Sequence, residues 1–216
     1  YGDGKITFDK ERENTMQESY QPKQTESLQS IDAYDTRGVQ ERGITKQVAA
    51  HYGMRVAYNQ DGTIEAHYYP YTKKGKTVAY KVRQLPKDFR VKGDFSEIDL
   101  FGQSTFTQGG RSLVITEGEL DAMAVAQSTL TNGGKIFPVV SLPSSSNLNP
   151  LISNREWVRS FDTVVLMFDQ DEAGEKAVEN AAKIIGWDKV KVASLPENDP
   201  CETLIKHGHK ALVNAF

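Results

Sequence analysis

The second half of the chain alternates short apolar runs with segments whose apolar residues recur at helical spacing. Continuous apolar runs predict strands buried on both faces, and helical spacing predicts the elements between them. The predicted order is strand 113–116, helix 120–129, strand 137–142, helix 149–159, strand 163–168, helix 172–185, strand 190–195 and a short final helix. Such alternation indicates an α/β fold, a parallel sheet flanked by helices.

The first half of the chain follows a different pattern. Between Arg55 and Val82, aromatic and β-branched residues alternate with polar ones, and turn signals interrupt them at 59–62 and 73–75. This pattern predicts a small antiparallel sheet of three strands, and Thr45 is the expected N-cap of a short helix before it. Residues 10–30 are polar and charged, which is typical of a mobile segment.

These patterns divide the chain into three predicted parts. Residues 1–30 form a flexible arm or linker, residues 31–109 an α+β N-terminal subdomain, and residues 110–216 the parallel-sheet domain with its C-terminal acidic loop and helix.

Composition narrows the setting of the protein. The 216 residues carry a net charge of −3, so a basic surface must be local. The single cysteine, Cys201, excludes an internal disulfide and a zinc ribbon, so we expect no zinc in this chain. No apolar run is long enough to span a membrane, and the expected location is cytoplasmic.

Two acidic loops follow predicted strands. Glu117-Gly118 comes after strand 113–116, and Asp169 and Asp171 come after strand 163–168. Parallel strands end at the same edge of a sheet, so we expect these carboxylates to converge and to bind Mg²⁺ or Mn²⁺. Alternatively, Asp171 caps the following helix, and Glu117 interacts with a helix dipole.

A basic segment lies upstream of the first acidic loop. Lys81 and Arg83 share one face of a predicted strand, and Lys87, Arg90 and Lys92 follow them. A triphosphate that approaches a carboxylate cluster needs cationic partners. The alternative is a solvent-exposed strand and loop.

Together, these motifs resemble the toprim domain shared by bacterial-type DNA primases, topoisomerases and certain nucleases. Residues 116–121, 138–142 and 166–177 are most similar to the primase part of podophage primase-helicases and their mitochondrial helicase relatives. Arg37-Gly38, Arg42-Gly43-Ile44 and Leu100-Phe101-Gly102 resemble that family's N-terminal RNA polymerase subdomain, which implies this identity for residues 31–109.

The resemblance implies roles for individual residues. Glu117 resembles the toprim glutamate, a metal ligand or proton-transfer group, and Asp169 and Asp171 resemble the aspartates that hold Mg²⁺, with two ions expected. Asp199, in the loop after Pro196, resembles an additional metal-site acid. Lys81 and Lys87 resemble the lysines that hold the phosphates of the incoming nucleotide, and the neighbouring cations that would bind nucleotide or DNA are Arg83, Arg90 and Lys92.

The expected function is therefore that of a DNA primase core, which makes short RNA primers on single-stranded DNA from nucleoside triphosphates. The chain has no P-loop and begins at Tyr1, so we expect the family's zinc-ribbon and helicase domains to act in cis or in trans, together with a replisome polymerase. If the protein is phage-encoded, it would act in the host cytoplasm. The alternatives are a toprim nuclease or topoisomerase fragment and a catalytically silent single-stranded-DNA-binding module.

Overall fold

The computed structural model describes residues 26–216, in which the chain forms two four-stranded sheets. Residues 1–25 of the predicted arm lie outside the described residues. Residues 28–30, which were also assigned to the arm, instead form the start of helix α1, Leu28–Asp32. The Ser27 side chain caps this helix, because it accepts a hydrogen bond from the Ser30 amide.

The N-terminal sheet is an antiparallel meander with the strand order β1-β2-β3-β4. Thr45 caps helix α2, as predicted, through a hydrogen bond from the Val48 amide. One strand was not predicted: residues after the basic turn form β4 at the edge of the sheet. The elements of this part after α1 are α2 (Lys46–His51), β1 (Arg55–Tyr58), β2 (Ile64–Lys73), β3 (Lys76–Gln84) and β4 (Asp88–Gly93).

The second sheet is parallel, with the order β6-β5-β7-β8, and confirms the predicted fold class. The helix predicted over 149–159 is instead two short helices that meet at Asn154, whose side-chain amide donates to the Pro150 carbonyl. The elements are β5 (Gly110–Thr116), α3 (Glu119–Gly133), β6 (Val139–Ser141), α4 (Asn149–Ser153), α5 (Arg155–Arg159), β7 (Phe161–Met167), α6 (Glu172–Ile185), β8 (Val190–Val192), α7 (Pro200–His207) and α8 (His209–Val213).

A shared core joins the two sheets. Helix α3 is buried along most of its length and packs in one apolar cluster with residues of both sheets. Phe101 and Ser141 form a backbone bridge, and the Tyr52 hydroxyl donates to the Val139 carbonyl at 2.8 Å. These contacts hold the N-terminal subdomain against the parallel-sheet domain.

The tyrosines of the N-terminal sheet belong to its core. Tyr68, Tyr69, Tyr71 and Tyr80 are all buried, so they pack within the sheet rather than offer exposed faces for stacking. Among the described residues, no helix has both the length and the apolar composition that crossing a membrane requires.

Candidate active site between the two sheets

The two acidic loops lie together at the carboxyl edge of the parallel sheet. Glu117 follows β5 and Asp169 follows β7, and these two strands are hydrogen-bonded neighbours. The Asp169 amide donates to Glu117 Oε1 at 3.2 Å. The convergence that the strand order predicts is therefore present in the structure.

Two further acids approach this pair from other elements. Asp121 lies in the first turn of α3, and Asp199 precedes α7. Asp121, Asp199 and Cys201 each place one potential ligand atom within 4.8 Å of the others, and the Cys201 amide donates to Asp121 Oδ1 at 3.2 Å. Two carboxylates at this spacing can contribute to a metal site, whereas burial raises the pKa of the Cys201 thiol and favours its protonated form.

Asp121 and Cys201 were not selected from the sequence. Asp121 is four residues after Glu117, and this helical spacing at the start of α3 was an available signal for it. Cys201 carried no such signal, because only the fold brings the start of α7 to the start of α3.

The carboxylates perturb one another. Burial and then the Asp169 charge raise the pKa of Glu117 to about 7, and burial and then the Asp199 charge raise the pKa of Asp121 to about 7. Burial, followed by the charges of Asp199 and Asp171, raises the pKa of Asp169 to about 6. Crowded carboxylates with unfavourable negative charge fit a hard divalent cation, which would relieve the repulsion.

Asp171 has a different local contact. Its side chain is exposed and accepts a hydrogen bond from the Gly174 amide at 2.8 Å, so it caps helix α6. Its charge still contributes to the raised pKa values of Glu117 and Asp169. The cap is observed, and the metal-binding role of Asp171 stays a prediction.

Glycines allow the backbone to close around these acids. A Cβ atom on Gly174 would lie 2.0 Å from the Asp169 carbonyl oxygen, so the first turn of α6 can approach the β7 loop only without a side chain. Gly118 has φ −127°, an extended conformation open to any residue, and a Cβ there would lie 2.8 Å from Asp121 Oδ2. Close approach to backbone therefore explains Gly174, whereas a Cβ on Gly118 would displace the Asp121 carboxylate.

Lys81 is held in place across the cleft. Its ammonium nitrogen lies 2.9 Å from Glu119 Oε1 and donates to the Pro143 carbonyl at 2.6 Å. Glu119 is 4% exposed and also accepts a 2.6 Å hydrogen bond from the Tyr71 hydroxyl. Lys81 thus connects β3 to α3 and to the loop after β6, and it is not a freely solvated strand residue.

The other cations divide between the two faces of the N-terminal sheet. Arg83 pairs with Phe89, and Lys81 with Val91, on the face toward the acids. Lys87, in the turn before β4, borders the same cleft.

Arg90 and Lys92 pair with Val82 and Tyr80, whose side chains pack beneath α1 on the opposite face. Arg90 still borders the cleft, whereas the Lys92 ammonium lies 3.6 Å from Glu26. The structure therefore does not bring Lys92 to the acids, and its predicted role in binding remains without geometric support.

Acidic and basic residues line two adjoining cavities between the sheets. The larger, about 740 Å³, includes Glu117 and Asp169, and the smaller, about 310 Å³, includes Asp121, Asp199 and Arg42. The residues that border both cavities are Lys81, Lys87, Phe89, Gly118, Asp121 and Asp169. Acids at the ends of parallel strands, faced by a basic antiparallel sheet, form the arrangement that the resemblance to toprim-containing primases implies.

Comparisons with known proteins agree with this class. A Toprim-like family model matches residues 114–204. The chain is 34% identical over 174 residues to a DNA helicase/primase of Enterobacteria phage T3, a match that covers 80% of this chain and 30% of that protein. This chain thus spans about a third of the length of the curated relative it matches.

Solved structures extend the similarity. The primase fragment of the bacteriophage T7 primase-helicase is 32% identical, with a TM-score of 0.75 over 84% of this chain and 74% of that one. A second structure contains T7 primase domains bound to an RNA/DNA hybrid and dTTP, in a complex with the lagging-strand DNA polymerase. It is 32% identical to this chain, with a TM-score of 0.73 over 84% of this chain and 90% of that one. The DnaG catalytic core, at 17% identity and a TM-score of 0.61 over 82% of this chain and 69% of that one, shares the fold.

The chain belongs to the family of toprim primase domains found in phage primase-helicases.

Proposed function

We propose that this chain is the catalytic core of a DNA primase, which joins nucleoside triphosphates into short RNA primers on single-stranded DNA. The observation that carries the proposal is a single cleft in which Glu117 and Asp169 face Lys81 and Lys87. Nucleotidyl transfer needs both groups, because the triphosphate must be neutralised where the attacking hydroxyl is activated. Membership of the phage primase family supports the same reaction.

The acids would hold the divalent cations. Glu117, Asp169, Asp171 and Asp199 are the candidate ligands from the sequence, and the structure adds Asp121 to them. Mg²⁺ or Mn²⁺, as two ions, is the proposed cofactor. When bound, the ions would lower the pKa of the primer 3′-hydroxyl and neutralise charge on the phosphates. Asp171 caps α6 through Oδ1, and its other carboxylate oxygen would serve as the metal ligand.

The basic face would hold the nucleotide. Lys87 is exposed and can reach a ligand, and Lys81 is oriented by Glu119, so the two cations border the cleft at different depths. We assign them to the β- and γ-phosphates, with Arg83 as a neighbouring cation. Oriented cations stabilise the departing pyrophosphate without reorganisation during the reaction.

The remaining partners follow from the family. The T3 relative is a helicase/primase, and the T7 primase domains form a complex with the lagging-strand polymerase. We propose that zinc-ribbon and helicase domains, in cis or in trans, and a replicative DNA polymerase cooperate with this core, in the host cytoplasm if the protein is phage-encoded.

Primer synthesis with Mg²⁺ and labelled nucleotides tests the proposal. Reactions on single-stranded DNA should extend a supplied oligonucleotide primer, and we expect little initiation without one because this chain lacks the cysteines of a zinc ribbon. Asp169→Ala and Lys81→Ala should each abolish most of the extension. Asp162→Ala and Lys76→Ala are matched controls, since these residues are exposed near the opposite ends of β7 and β3.

Other outcomes would identify the alternatives. Nicking of supercoiled DNA without nucleotide incorporation would indicate a toprim nuclease or topoisomerase fragment. Single-stranded-DNA binding without incorporation would indicate a silent binding module. Extension that survives both active-site substitutions in folded protein would refute the assigned roles.

A further inference from the structure

One wall of the larger cavity is apolar, although charged and polar residues line most of the remainder. Phe89 and Val91 are each 47% exposed and lie on the face of β4 that looks toward the acids. Phe95 and Pro143 continue this wall. A triphosphate and its cations would not need such a surface.

Neighbouring cations contact the Phe89 ring. The Lys81 ammonium lies 5.0 Å from the ring centroid, and the Arg83 guanidinium carbon lies 5.9 Å from it. Cation–π contacts at these distances favour a defined ring position. Because Glu119 and Pro143 hold Lys81, these contacts favour one ring position, and Phe89 stays 47% exposed where it borders the cavity.

Packing does not explain this exposure. The apolar side of the sheet near β4 is the opposite face, where Tyr80 and Val82 are buried beneath α1. Phe89 instead lies beside the lysines and across the cavity from Glu117 and Asp169. An aromatic face next to phosphate-binding cations matches the two ends of a nucleotide, an apolar base and a charged tail.

We propose that Phe89 is the nucleobase platform of this site, on which the base of the incoming nucleoside triphosphate stacks while Lys81 and Lys87 hold its phosphates. This inference rests on the proposed function and deepens it. Every base has a π-face, so the platform supplies affinity for all four nucleotides and leaves base selection to the template.

Equilibrium binding by calorimetry, with no DNA present, tests the platform. The ligands are ATP, CTP and inorganic tripolyphosphate, each with the same divalent cation. Phe89→Ala should weaken ATP and CTP binding by about tenfold, within the range for one stacked base, and should change tripolyphosphate affinity less than about twofold. Phe89→Leu keeps an apolar side chain without a π-face and should lose most of the same affinity.

Two further variants control the comparison. Phe89→Trp should retain nucleotide affinity, and its indole fluorescence should be quenched by ATP and not by tripolyphosphate. Trp187→Ala removes an exposed aromatic residue that does not border the cavity, and it should leave all three affinities unchanged. Thermal unfolding of each variant confirms that it is folded.

The outcomes separate the explanations. An equal loss of nucleotide and tripolyphosphate binding in Phe89→Ala would mean that the ring only positions Lys81. Unchanged nucleotide binding in this variant would mean that no base stacks on the ring. Either result overturns the platform and leaves the proposed function standing. A parent protein that binds neither ATP nor tripolyphosphate would overturn the proposed function together with the platform.

Discussion

Glu119→Gln should destabilise the protein although it leaves every candidate metal ligand intact. The Glu119 carboxylate accepts from the Lys81 ammonium and from the Tyr71 hydroxyl, so it links β3, β2 and the first turn of α3. The side chains of Lys81 and Glu119 are 16% and 6% exposed, and water therefore screens this ion pair weakly.

The size of the effect follows from the contacts that remain. Removing one partner of a buried ion pair costs about 3–5 kcal/mol. Glutamine has nearly the same shape and keeps one acceptor oxygen, and the Pro143 carbonyl still accepts from Lys81, so we expect a loss of about 2 kcal/mol. For a protein of this size, that loss lowers the unfolding midpoint by about 4–8 °C.

Thermal and urea unfolding, followed by circular dichroism, measure this loss. Glu175→Gln, on an exposed position of α6, is the matched control and should change the midpoint by less than about 1 °C. Lys81→Met combined with Glu119→Gln should cost less than the two single losses added together, because either change alone breaks the same pair. A Glu119→Gln midpoint equal to that of the parent would refute the view that this pair stabilises the contact between β3 and α3.

Three other predictions concern the acids and the basic face. Gly174→Ala should abolish primer extension and weaken divalent-cation binding measured by calorimetry, because the new Cβ would lie 2.0 Å from the Asp169 carbonyl oxygen; full activity would show that α6 can shift without cost. Without divalent cations, urea stability should fall as the pH rises from about 4 to about 7, because folding raises the pKa of Asp121 from 3.8 to about 7 and the folded state holds a proton that the unfolded chain has released. Asp121→Asn should reduce this slope, and an unchanged slope would contradict the assignment. Lys92→Ala should leave ATP affinity unchanged, because this lysine contacts Glu26 on the face away from the acids; a loss comparable to that of Lys87→Ala would show that DNA or nucleotide reaches that face.

Short-range patterns along the chain determined most of the fold. Apolar runs identified β5 and β7, and helical spacing identified α6 with its correct ends. Because parallel strands end at one edge of their sheet, the same patterns predicted from the sequence alone that Glu117 and Asp169 lie close together. The edge strand β4 was not predicted, because its charged residues are typical of a loop.

Only the tertiary structure decided which side chains share the cleft. Period-two alternation predicts that Lys81 and Arg83 share one face of their strand, and that Arg90 and Lys92 share one face of the next. It does not predict which of these faces meets the parallel-sheet domain. That choice depends on the packing of α1 and α3 against opposite sides of the N-terminal sheet.

The same packing brought distant residues into the site. Asp121, Asp199 and Cys201 come from the starts of two helices that are far apart in the chain, and Glu119 of α3 pairs with Lys81 of β3 across the interface. Local sequence specifies strand ends and helix starts, because these depend on neighbouring residues. The composition of the cleft depends on which apolar faces are buried together, and that is a property of the whole fold.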